Sequence, residues 1–133
     1  MDPRLLDELK ARGAKPLPVP VYRYELPEDL SALRNAVLRL VGGGFDCVLF
    51  TAGVQAWHLL RVAMWMNLEN DCIQRLRQIC VGAVGPTCSE VLAECGFAPD
   101  VMPVHPKMGQ LVQSCASRCI PVLQGKNALA VAA

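Results

Sequence analysis

The chain has 133 residues, enough for one domain, or for one domain and a fragment of another. Its 53% hydrophobic and 19% charged content excludes a disordered chain. A formal net charge of +1, with no run of Lys or Arg, gives no electrostatic footprint for nucleic acid. No stretch of about 18 uninterrupted apolar residues reads as a membrane span, and the start Met1-Asp2-Pro3-Arg4 lacks the basic-then-apolar order of a signal peptide.

In chain order, Asp2 caps a first helix with Pro3 at its first position, Leu5, Leu6 and Leu9 form its apolar stripe, and Gly13 stops it. Lys15 to Tyr24 is extended; with Pro16, Pro18 and Pro20 unable to donate ladder hydrogen bonds, it is an edge strand or a crossing linker. A second helix follows Pro27, with Leu30, Leu33, Val37 and Leu40 on one face, and Gly42-Gly43-Gly44 ends it.

Phe45 to Phe50 reads as a short strand buried on both sides, as in a parallel sheet. The turn Thr51-Ala52-Gly53 opens a helix whose stripe is Val54, Trp57, Leu60 and Met64, and the polar stretch 67–78 forms another short helix. Ile79 to Val84 is the next buried strand. Thr87-Cys88-Ser89-Glu90 has capping-box spacing, with Thr87 as the cap, and Gly96 closes that helix. Val101 to Val104 is a further short strand, and a last helix runs from about Met108 until Pro121 interrupts it. The tail beyond shows no clear periodicity.

Helix–strand alternation of this kind predicts an α/β fold with a mainly parallel sheet. Ligands of such sheets collect beyond the carboxyl ends of the strands. Thr51-Ala52-Gly53 and Gly85-Pro86-Thr87 both sit there and both open helices, so both offer hydroxyls and backbone N–H groups to an anion.

Seven cysteines (Cys47, Cys72, Cys80, Cys88, Cys95, Cys115 and Cys119) are odd in number and irregular in spacing, with no C-x-x-C pair. Most lie in apolar runs, where a thiol packs as a small hydrophobe, so reduced structural cysteines and no metal site are expected. Cys115 and Cys119, four apart on one helix face, read as packing residues rather than a redox or metal pair.

Four segments then occur in order: Val19-Pro20-Val21-Tyr22-Arg23, Phe45-Asp46 through Phe50-Thr51, Val84-Gly85-Pro86-Thr87, and Pro103-Val104-His105-Pro106-Lys107-Met108-Gly109. Together they resemble the second half of bacterial uroporphyrinogen-III synthases, from about Leu5 to Val112. The family has two similar α/β domains joined by a two-stranded linker, is roughly twice this length, and holds a tetrapyrrole between the domains. The resemblance therefore implies a flavodoxin-like, mainly parallel sheet with helices on both faces, incomplete relative to the two-domain fold. Residues 1–14 would end one domain, 15–27 would be the linker strand, 28–120 the α/β domain and 121–133 a tail, with the family's first half absent.

The implied reaction is loss of the terminal hydroxyl of hydroxymethylbilane, followed by ring closure through a spiro intermediate that inverts the last ring. It belongs to haem and related tetrapyrrole biosynthesis in the cytoplasm and needs no cofactor, metal or nucleophile. It does need a cleft that folds a flexible polycarboxylate and a donor that helps hydroxide leave.

By resemblance, Tyr22 is the catalytic donor. Thr51 and Thr87 bind substrate carboxylates with the N–H groups around Gly53, Gly85 and Cys88, and Arg23 faces the cleft. Many members carry Ser where Ala52 stands and a second Thr where Cys88 stands, so two hydroxyls are missing here. Plainer roles remain open: Tyr22 as a strand aromatic, Thr87 as a cap, Thr51 as a turn residue, His58 as a surface residue, and His105 and Lys107 as solvated loop groups. A non-catalytic alternative also stands, an α/β module that binds a polyanion or pairs with a separate N-terminal half.

Overall fold

A computed structural model describes residues 3–132; Asp2, the expected cap of the first helix, lies outside them. The order is α1 (Pro3–Ala11), α2 (Ser31–Val41), β1 (Cys47–Phe50), α3 (Gly53–Trp65), α4 (Glu69–Gln78), β2 (Cys80–Ala83), α5 (Pro86–Glu94) and α6 (Met108–Ala132). Strands β1 and β2 pair in parallel, with Cys47 opposite Cys80 and Phe50 opposite Ala83. Val101 adds an isolated parallel bridge to Gly82. The architecture is α/β, with a parallel sheet smaller than expected.

Because side chains alternate along a strand, the sheet carries two cores. Val48, Phe50, Val81 and Ala83 face the larger one, with Val37, Leu40, Leu59, Leu60, Leu76 and Leu92 from α2 to α5. Cys47 and Cys80 face α6, with Val101, Leu111 and Cys115. Helices thus cover both faces. Gly82 lets α6 approach closely, since a Cβ there would lie 2.6 Å from Cys115 Sγ and 2.9 Å from Leu49 Cδ2. Gly53 does the same between α3 and α5, where a Cβ would meet that of Val91 at 2.6 Å.

Several local expectations change. The buried face of α3 is Ala56, Leu59, Leu60, Val62 and Ala63, whereas Trp57 and Met64 point outward, 52% and 50% exposed. Small alanines let the helix lie close against its neighbours, and the bulky pair faces away. Thr87 is not a cap. Gly85 holds that position in extended conformation, and Pro86 occupies the first helical turn. The third strand shrinks to one bridge because Pro103 has no N–H to extend the ladder.

Residues 15–27 form no helix or strand, are largely exposed, and make no backbone–backbone hydrogen bond among the described residues, so the expected edge strand is not formed. The apolar stripe of α1 is likewise uncovered, with Leu5 53% exposed. Arg4 ties that helix to Glu90 of α5 by a 2.6 Å ion pair.

Pro121 does not stop α6, which continues to Ala132 with the proline inside it. The missing N–H costs one helical bond, but Val122 and Leu123 still pack on the sheet. Farther along, Lys126 Nζ donates to the Ile79 carbonyl and to Asp100 Oδ2 at 2.7 Å. The same carboxylate oxygen accepts the Val81 N–H at 2.9 Å. Both side chains are about four-fifths buried (21% and 20% exposed), so this charged contact is only partly screened. Lys126→Met is expected to destabilise the fold by about 1–3 kcal/mol in urea denaturation. A loss under about 0.5 kcal/mol would show that the end of α6 is not anchored there. No helix among the described residues is long and apolar enough to cross a membrane.

Candidate functional site

Parallel pairing of β1 and β2, extended by the bond from Val84 N to the Phe50 carbonyl, sends Thr51-Ala52-Gly53 and Gly85-Pro86-Thr87 out of the same edge of the sheet. This is the carboxyl edge. It is also where two helices begin, presenting first-turn N–H groups that have no intrahelical acceptor.

A groove of about 580 Å³ lies at this edge, lined by Tyr24, Glu25, Thr51, Ala52, Val54, Gln55, His58, Val84, Pro106 and Met108. Of the expected catalytic and binding residues (Tyr22, Arg23, Thr51, Gly53, Gly85, Thr87 and Cys88), only Thr51 lines it. Thr87 is exposed on the first turn of α5, outside that lining. Gly85 is buried beneath the loop carrying Pro106, whose Cβ would stand 3.0 Å from a Cβ at that glycine. Cys88 is buried, and its thiol faces the Phe50 carbonyl at 3.6 Å. Its backbone N–H, not its side chain, is therefore what it can offer a ligand.

The Thr51 turn already holds an acceptor. Gln55 Oε1 accepts from Thr51 N at 2.8 Å and Ala52 N at 3.2 Å, while Gln55 Nε2 donates to Thr51 Oγ1 at 2.9 Å. The carboxamide oxygen occupies the place that a carboxylate oxygen would take on these donors. Gln three residues after the helix cap is the signal that could have revealed this contact.

Tyr22 is 73% exposed and stacks edge-to-face on Tyr24, ring centroids 5.5 Å apart. Tyr24, rather than Tyr22, forms the groove wall. Arg23 pairs with Glu25 at 2.6 Å on the surface and does not line the groove. The lining contains one acid, Glu25, and no Lys or Arg. Its donors are accordingly backbone N–H groups, hydroxyls, the Gln55 carboxamide and the half-buried His58.

A smaller cavity of about 300 Å³ lies at the amino edge of the strands, where Asp46, Arg75 and Lys126 contribute to its lining. Burial pushes the thiols of Cys47 and Cys80 up to about 12 and that of Cys72 to about 11. Those of Cys88, Cys95 and Cys115 are raised by the same cause. The structure also gathers the thiols of Cys47, Cys80 and Cys119. Sequence spacing could not show this, because it depends on strand register and on the docking of α6.

A sequence profile described as uroporphyrinogen-III synthase HemD matches residues 1–113. A curated protein of Methanothermobacter thermautotrophicus, named "Putative uroporphyrinogen-III synthase", is 32% identical over 89 residues, covering 67% of this chain and 34% of that protein. The chain thus spans about a third of the length of the curated relative it matches. No solved structure matches it.

Proposed function

The chain belongs to the uroporphyrinogen-III synthase family, and from that membership we propose that it supplies one wall of a cytoplasmic cleft that binds hydroxymethylbilane and closes it with inversion of the last ring and loss of water. The observation that carries this reading is the common edge from which the Thr51 and Thr87 turns leave the sheet beside the groove. A flexible polycarboxylate needs several donors held at fixed spacing, and two helix starts on one rigid sheet provide them.

In this proposal, Thr51 and Thr87 hold substrate carboxylates with the N–H groups around Gly53, Gly85 and Cys88. Gln55 swings away from the Thr51 turn when a carboxylate arrives. Tyr22, on the segment preceding the α/β unit, donates to the departing hydroxyl, and Arg23 leaves Glu25 to meet a further carboxylate. Neither Ala52 nor Cys88 brings a side-chain hydroxyl, so backbone donors carry more of the binding. A lost hydroxyl contact is worth about 1 kcal/mol, which weakens the site without removing it.

A second reading, a non-catalytic polyanion binder or complementing half, is favoured by the unpaired segment 15–27. The isomer of the product separates catalysis from polyanion binding alone. Free hydroxymethylbilane cyclises spontaneously to the uninverted type-I product. The chain alone should leave that outcome unchanged, and addition of a polypeptide carrying the family's other domain should produce type-III product. Type-I product alone from the mixture would reject the catalytic reading; abundant type-III product from this chain by itself would reject the single-wall reading.

A further inference from the structure

Cys47 opens β1, Cys80 opens β2 directly opposite it, and Cys119 reaches the same place from α6. Their three Sγ atoms lie within 4.8 Å of one another. Cys80 is fully buried, Cys47 and Cys119 are half-buried, and all three are free thiols. No carboxylate or imidazole belongs to this group. We infer that it is a three-thiolate site for one soft monovalent metal ion, copper(I).

Geometry and ligand chemistry both point to that ion. Three sulfurs around a metal at about 2.3 Å lie about 4 Å apart, so the thiols need contract by less than about an ångström to coordinate. Two of them are set by the register of paired strands and the third by a packed helix, which is the rigid support a metal centre needs. A structural zinc site would take a fourth ligand. The adjacent thiol, Cys115, touches Cys47 but falls outside the set whose sulfurs all lie within 4.8 Å of one another. A set of three soft ligands with no hard partner suits copper(I).

Without metal, the three thiols pack between the sheet and α6 as small apolar groups. On binding, three S–H bonds give way to three copper–sulfur bonds, three protons leave, and no oxidation state changes. The site stands at the amino ends of the strands, about 10 Å along the sheet from the carboxyl edge, and does not depend on the tetrapyrrole reading.

The test is an anaerobic copper(I) titration of the reduced full chain against the chromophoric competitor bicinchoninate, with X-ray absorption on the loaded protein. One ion per chain is expected, with three sulfur neighbours. Removing an outer partner of a metal ligand typically costs 10–100-fold in affinity, so Cys119→Ser, which removes a half-buried ligand, should cost about a hundredfold or more. Cys95→Ser, buried outside the cluster, should leave affinity unchanged. Failure to take copper from the competitor, fewer than three sulfur neighbours, or equal affinity in the Cys119→Ser protein would each overturn the site. The absorption measurement on the unsubstituted chain decides the matter even if the variant fails to fold.

Discussion

Leu92→Ala is expected to lower folding stability by about 2–5 kcal/mol, a large part of what a domain of this size possesses. Leu92 is fully buried on α5, inside the larger core with Phe50, Ala83 and Leu76. Truncation removes its burial and leaves a cavity that this core cannot easily fill. Glycine contacts on one side and a buried strand on the other fix the distances between elements. Since α5 also carries Thr87, loosening it should disturb the turn as well as the core. Urea denaturation measures the loss, and a value under about 1 kcal/mol would mean that α5 packs less tightly than described.

Tyr22→Phe should slow ring closure about a hundredfold in a mixture made competent by the family's other domain, if its hydroxyl donates to the leaving group. The substitution keeps the ring and its stacking on Tyr24, so a structural role alone would leave the rate nearly unchanged. Tyr24→Phe serves as the comparison, because Tyr24 forms the groove wall. A smaller effect there than at Tyr22 fits the proposal. A larger one would move the donor to Tyr24, and no effect at either position would remove the linker tyrosines from the chemistry.

Elements with strong local signals were legible in the sequence. The glycines at 13, 43 and 96 adopt positive φ where helices end, and the buried strands fall within one or two residues of their expected limits. What could not be read depends on contacts between distant residues. The buried face of α3 follows from close helix packing at Gly53 and Val91, not from the largest apolar side chains. The continuation of α6 past Pro121 rests on Lys126 reaching Asp100, 26 residues away. At the groove, Thr51 was legible as a turn before a helix. Tyr24, Gln55 and Pro106 were not, because three separate chain segments bring them together.

Where a polycarboxylate tetrapyrrole sits on the protein can be located directly. Amide NMR shifts should be recorded as uroporphyrinogen, the cyclic product, is added to the chain. The largest changes are expected at the carboxyl edge, at Thr51, Ala52, Gly53, Thr87 and Cys88, together with the Gln55 carboxamide as it leaves its turn. The amino-edge cavity near Arg75 and Lys126 should change little. Perturbations concentrated at Arg75 and Lys126, with Thr51 and Thr87 silent, would contradict the assignment of the carboxyl edge as the binding wall.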